Sequence, residues 1–273
     1  MHPILFEIGG FPIYTYGVML AAAYLLGLQF ALVRARKRGL DPNRVMDLGI
    51  WIIVSALLGA KLLLLIVDFD AFRRDPGELM TLVRSGGVFY GGLIAAVAVA
   101  LWYLRRHRMP MWTVTDVFAP GIALGHVIGR MGCFFAGCCF GKETSVPWAV
   151  TFTDKFATAN AGTPLNVPLH PTQLYEAGAE LLILAALLLT EHRGRSFPGR
   201  TFWSYMLAYA VSRFIIEIYR GDPRGAVGML STSQFVSVLL VPLSIIMLIV
   251  LARRKTPEPT AATKPKRARA RAA

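Results

Sequence analysis

Arg213 and Glu217 stand four residues apart, with Tyr209 four residues before them and Arg220 just beyond. On a helix this spacing puts Tyr209, Arg213 and Glu217 on one face, within pairing reach. A guanidinium steadied by a carboxylate is an anion site, because its fork matches phosphate oxygens bidentately. The same pair can also simply fasten two helices. Arg130 lies in Gly129-Arg130-Met131-Gly132-Cys133, and His126 shares its face one turn earlier. The glycines let a second backbone or a ligand approach closely, although an arginine near a helix end can also snorkel to the interface. Tyr90 sits between the pairs Gly86-Gly87 and Gly91-Gly92; an interfacial tyrosine is ordinarily an anchor, and glycines on both sides favour a site as well. His170 and Glu176 bracket His170-Pro171-Thr172-Gln173-Leu174-Tyr175-Glu176, where Pro171 suits a helix start and Thr172 or Gln173 can satisfy free backbone groups. They serve either as polar glue or as the lining of a cavity. Cys133, Cys138 and Cys139 fall within seven residues. Adjacent cysteines are poor joint ligands for tetrahedral zinc, and the Cys-x-x-Cys redox spacing is absent. Their spacing assigns no metal and favours small packing residues, with a reactive thiol beside Arg130 as the alternative.

These groups lie in a very apolar chain. Of its 273 residues, 55% are hydrophobic and 16% charged, with mean hydropathy +0.52, where soluble proteins average about 25% charged. That excludes a soluble globular enzyme, and disorder outside the tail. It predicts an all-α polytopic membrane protein: one membrane-embedded domain over 1–252 and a basic disordered tail over 253–273. Apolar runs place about seven transmembrane helices, near 13–32, 47–67, 87–104, 117–135, 174–190, 202–219 and 233–251. Lys61, His126, Arg130, Glu176, Glu180, Arg213 and Glu217 then fall inside the bilayer, where ionisable groups mark function by default.

The net charge of +13 invites a nucleic-acid reading, but its distribution argues for none. Arg34, Arg36, Lys37, Arg38 and Arg44 follow the first span, Arg105, Arg106 and Arg108 the third, and Arg193, Arg195 and Arg200 the fifth, with a further basic run in the tail. The alternate segments hold fewer. By the positive-inside rule the N-terminus lies outside and the C-terminus is cytoplasmic. No positive charge precedes the first span, so a cleaved signal peptide is not expected. The long segment 136–173 between spans four and five is expected to form a small outer cap, in which Trp148-Ala149-Val150-Thr151-Phe152 alternates like a short strand.

In order along the chain stand Tyr14-Thr15-Tyr16-Gly17, Gly59-Ala60-Lys61, the Gly86–Gly92 run around Tyr90, Gly129-Arg130-Met131-Gly132 with Gly137 beyond, His170 to Glu176, and Tyr209 to Arg220. In these features the chain resembles the bacterial prolipoprotein diacylglyceryl transferases over about residues 5–252. The resemblance implies seven transmembrane helices in the cell inner membrane. It implies transfer of the diacylglyceryl group of phosphatidylglycerol to the lipobox cysteine of a prolipoprotein signal peptide, giving a thioether and glycerol-1-phosphate. It implies neither a metal nor a redox cofactor. For such chemistry Arg130 and Arg213 would bind phosphate, with Glu217 orienting Arg213, and Tyr90 or His126 would assist deprotonation of the thiol. Tyr16, Lys61, Tyr209, Arg220, His170 and Glu176 would line the phosphatidylglycerol site. Two features depart from the family. Many members carry His-Gly-Gly where this chain has Tyr90-Gly91-Gly92, and that histidine is the favoured base. Many carry Asn and Glu where this chain has Cys133 and Cys138. The competing classes are a polytopic transporter using the same buried charges, and a thiol-redox membrane protein using the cysteines. The lack of inverted repeats or paired half-helices counts against the transporter.

Overall fold

The computed structural model describes residues 2–74, 87–191, 196–222 and 225–254. Gly86 and the basic tail beyond Arg254 lie outside the described residues. The chain opens with an antiparallel hairpin, β1 (Ile4–Ile8) and β2 (Phe11–Tyr14). Its turn is Gly9-Gly10, at φ +57° and +83°, the left-handed pair that a two-residue hairpin turn requires. Helices α1 (Thr15–Lys37) and α2 (Pro42–Val67) follow. Asp41 caps α2 by accepting from Asn43 N, with Pro42 in the first turn. Short α3 (Phe69–Arg74) comes next, then α4 (Phe89–Arg106) and α5 (Met111–Ala136). Between α5 and the next long helix lie β3 (Val150–Thr151), α6 (Lys155–Ala161) and β4 (Pro168–Leu169). The chain continues through α7 (Thr172–Glu191), α8 (Arg200–Glu217), the pair β5 (Ala226–Val227) and β6 (Leu230–Ser231), and α9 (Thr232–Arg253).

Among the described residues, α1, α2, α5, α7 and α9 are long and apolar enough to cross a membrane. The other two long helices, α4 and α8, have 18 residues each. α4 ends in Arg105-Arg106 and α8 contains Arg213 and Glu217, which lower their apolar character. Five helices among the described residues meet this criterion, against the seven spans expected from the sequence. Large apolar side chains such as Leu25, Leu58, Ile94, Leu182 and Ile246 point out of the bundle. Such faces need an apolar solvent, and helices satisfy their own backbone groups within it.

Small residues bring the helices together. α1 packs on α5 where Gly27 meets Gly121; a Cβ on Gly27 would lie 2.7 Å from the Gly121 carbonyl oxygen. α2 packs on α4 where Gly59 meets Gly91 and Ala56 meets Gly92. This is the small-residue contact typical of membrane helices, where backbones rather than large side chains meet. α7 and α8 pack with α5 around Ala119, Ala123, Ile183, Leu184, Leu187 and Tyr205.

At one end of the bundle Arg34 of α1 grips Glu191 of α7 with both guanidinium nitrogens at 2.7 Å, and Arg38 adds a contact at 2.6 Å. Nearby, buried Asp116 accepts from Gly199 N at 2.7 Å and Phe202 N at 2.9 Å, capping the start of α8 from another helix. At the other end the segment between α5 and α7 folds over its own core of Phe140, Phe152 and Leu169. The strand expected at Trp148–Phe152 is present as Val150–Thr151, paired with Pro168–Leu169.

Candidate functional site

α5 ends at Gly137, whose φ of +75° suits a left-handed helix cap. Its last turns carry His126 and Arg130. α7 begins at the same end, and α8 arrives there from the opposite direction with Arg213 and Glu217. Three chain segments thus deliver ionisable groups to one level.

Glu176 is the centre of the arrangement. Its Oε1 is 2.6 Å from Arg213 Nη1 and 2.8 Å from Arg220 Nη1, and its Oε2 is 2.6 Å from Arg130 Nε. Its side chain is 4% exposed and that of Arg220 2%, so these charges are almost wholly removed from solvent. Arg213 also pairs with Glu217 at 2.6 Å, as the four-residue spacing predicts, and donates to Ser233 Oγ of α9 at 3.1 Å. Arg220 forks onto Asp222 at 2.8 and 2.9 Å. Burial works against the Arg220 charge, yet the hydrogen bonds to Asp222 hold its pKa above the ordinary arginine value.

His126 Nδ1 lies 2.9 Å from Glu180 Oε1, and its Nε2 accepts from Arg130 Nε at 3.3 Å. Tyr209 packs over His126 with ring centroids 5.5 Å apart. A shallow cleft opens here, lined by Glu176, Glu180, Tyr209, Ser212, Arg213 and Ile216. Glu180 Oε1 faces His126, while Oε2 is buried without a hydrogen bond, so the cleft holds an acidic group with spare accepting capacity.

The loop after α5 is stitched to this cluster. Gly141 N donates to His170 O at 3.1 Å, Lys142 N to Tyr219 O at 2.8 Å, and Gly221 N to Phe140 O at 3.1 Å. A Cβ on Gly221 would stand 2.6 Å from the Gly141 carbonyl oxygen, so only glycine permits this crossing. Thr172 Oγ1 donates to the Cys139 carbonyl at 2.8 Å and Gln173 Nε2 to that of Cys138 at 2.6 Å. Their side chains therefore satisfy the loop's backbone. The sulfurs of Cys133, Cys138 and Cys139 all lie within 4.8 Å of one another. Hydrogen bonds from the Cys133 and Cys138 thiols, with Arg220 and Arg130 close by, hold the Cys139 thiol well below its ordinary pKa.

Arg130, Arg213, Glu217, Arg220, Glu176, His126 and Tyr209 are therefore brought together. Tyr16 is adjacent: its ring edge would lie 3.4 Å from a Cβ on Gly132. His170 turns the other way, with Nδ1 3.0 Å from the Tyr175 hydroxyl and its ring 5.1 Å from that of Tyr219. Tyr90 starts α4, is 43% exposed, and stacks edge-on with Phe89. Lys61 is at the same end of the α2–α4 pair, where Val88 N donates to the Ala60 carbonyl at 3.0 Å. Ser233, Asp222 and the pairing of Glu180 with His126 were not singled out from sequence. Asp222 had a local signal in its closeness to Arg220, whereas Ser233 reaches Arg213 only through helix packing.

The fold and site define a membrane-embedded protein with a buried arginine–glutamate cluster beside an acidic cleft. The family described as prolipoprotein diacylglyceryl transferase matches residues 3–250, and the chain belongs to that family. It is 38% identical over 256 residues to a phosphatidylglycerol–prolipoprotein diacylglyceryl transferase of Clostridium tetani, covering 93% of this chain and all of that one. It is 34% identical to the transferase named with the number 2 in Clostridium perfringens, over 88% of this chain and 92% of that one. It is 31% identical to the Synechococcus elongatus transferase, over 90% and 86% of the two chains.

Proposed function

We propose that this protein transfers the diacylglyceryl group of phosphatidylglycerol to the lipobox cysteine thiol of a prolipoprotein, releasing glycerol-1-phosphate. The observation that carries this reading is the buried meeting of Arg130, Arg213 and Arg220 on Glu176, at 2.6, 2.6 and 2.8 Å. In the reaction a thiolate sulfur forms a bond to the glyceryl methylene as the carbon–oxygen bond to phosphate breaks. Charge develops on the departing phosphate, and preorganised guanidiniums in a water-poor site stabilise it. Arg130 and Arg213 take the phosphate, Glu217 and Ser233 hold Arg213 in place, and Glu176 spaces the three cations. Arg220, Tyr209 and Tyr16 line the site; Lys61 and Tyr90, at the same end of the neighbouring helix pair, bound the lipid's approach, and His170 steadies the cap loop.

His126 is the better-placed base of the two expected from sequence. Nδ1 faces Glu180 at 2.9 Å, which orients the ring within the site, and Nε2 faces Arg130 at 3.3 Å. Tyr90 lies at the start of α4 and is 43% exposed.

The wider topology belongs to the same proposal. α4 and α8 also cross the bilayer, giving seven spans, with the segment 136–173 as an outer cap, the N-terminus outside and the C-terminus cytoplasmic in the inner membrane. The support is the gathering of Arg34, Arg38, Arg105, Arg106 and Arg200 on connections that alternate with those bearing the site. A transporter would use the same charges, but the family membership favours the transferase over it and over a thiol-redox protein.

The test is to incubate the purified protein with phosphatidylglycerol and a lipobox-cysteine peptide and to weigh the peptide. A diacylglyceryl adduct on cysteine is expected. No adduct from a folded sample would refute the function.

A further inference from the structure

We propose that Cys133, Cys138 and Cys139 bind one thiophilic divalent ion of the Zn²⁺ type, whose fourth position receives the acceptor thiol. The second half rests on the transferase reading above; the first half does not.

The geometry comes from three local causes. Cys133 is in the last turn of α5, and Gly137 at φ +75° ends that helix. Cys139 adopts φ +63°, a left-handed conformation uncommon for a residue with a Cβ. That turn brings neighbouring thiols, poor joint ligands in an extended chain, round to the side of Cys133. Thr172 and Gln173, both fully buried, pin the carbonyls of Cys139 and Cys138 from α7. These two hydrogen bonds fix the loop through its backbone carbonyls.

Distances fit an ion. Zinc–sulfur bonds of about 2.3 Å place bound thiolates about 4 Å apart. The three sulfurs lie within 4.8 Å of one another, so closure needs movements of under about 1 Å. Charge fits as well: three thiolates around a divalent ion carry one net negative charge, and Arg130 and Arg220 stand beside the cluster. Among the described residues no fourth Cys, His, Asp or Glu joins the group. Three protein ligands with one position open is the pattern of reactive zinc rather than structural zinc.

The acceptor of the reaction is itself a thiol, with an ordinary pKa near 8.5. Ligation to the ion displaces its proton to water. The sulfur lone pair then forms the sulfur–carbon bond, and the phosphate leaves with the electron pair of the broken carbon–oxygen bond. The neutral thioether is a poor ligand and departs.

Cd²⁺ is the probe, because each thiolate bound to it adds to an ultraviolet charge-transfer band. The reduced full-length protein, without lipid, should show a band saturating at one ion per chain. Cys133→Ser, Cys138→Ser and Cys139→Ser should each weaken binding by about ten- to a hundredfold or more. A lipobox-cysteine peptide should then raise the band by about one third, as a fourth thiolate joins three, while its serine counterpart leaves it unchanged. No band, or a band surviving the triple Cys→Ser change, overturns the site; if the triple variant loses its helical circular dichroism, the single variants decide. A band indifferent to the cysteine peptide overturns the assignment of the fourth position. Weighing the peptide after phosphatidylglycerol is added separates the two readings. An adduct without a band removes the ion and keeps the transferase, and a band without an adduct does the reverse.

Discussion

Two arginine–carboxylate clusters sit at opposite ends of the same helix bundle, and they differ in what surrounds them. At the Glu191 end, two arginines close on one carboxylate; Arg38 is 32% exposed and Glu191 15%. At the Glu176 end, three arginines close on one carboxylate that is 4% exposed, with Arg213 at 5% and Arg220 at 2%, and only Arg130 and Asp222 at its edge reach 15% and 16%. The pairing chemistry is the same. An ion pair with solvent at hand contributes little, whereas charges buried together depend on one another's presence and act on a ligand with little screening. The Glu191 cluster fastens α1 to α7; the Glu176 cluster joins α5, α7 and the end of α8, and is the one proposed to meet the phosphate.

The largest effect should come from removing the centre of the buried cluster. Glu176→Gln leaves three guanidiniums facing a neutral amide and should destabilise the protein by about 3–5 kcal/mol, read as a lower melting temperature in detergent. A melting temperature equal to that of the parent would place the two clusters in one class. Arg213→Gln should keep the fold better, because Arg130 and Arg220 remain on Glu176, but should slow transfer by about 10²–10³-fold. Gly27→Val probes what joins the two ends, since α1 and α5 meet there; forcing their backbones apart should cost about 1–3 kcal/mol of thermal stability. Arg38→Gln should be the mildest, at under about 1 kcal/mol and with transfer unchanged, because Arg34 keeps its two-pronged grip on Glu191.

The legible parts of this molecule are those written in local spacing. Apolar runs located the long helices, with α5 starting earlier than expected, at Met111. The four-residue interval from Arg213 to Glu217 foretold their contact. Gly9-Gly10 also carried a local hairpin signal, recognisable once β1 and β2 are seen. Glu176 as the meeting point of three arginines was not legible, because Glu176, Arg130 and the stretch from Arg213 to Arg220 come from three chain segments joined only by packing. The convergence of the three sulfurs was hidden for a related reason. It depends on the left-handed turn at Cys139 and on Thr172 and Gln173, which reach it from across the chain.

The most direct measurement compares the two clusters within one reaction. Wild type, Arg213→Gln and Arg38→Gln are placed in phosphatidylglycerol vesicles with the lipobox-cysteine peptide, and the diacylglyceryl adduct is followed by mass. Full transfer by wild type and Arg38→Gln, with a loss of about 10²-fold or more for Arg213→Gln, is the predicted result. Equal transfer by all three would contradict the assignment of catalysis to the buried arginines around Glu176.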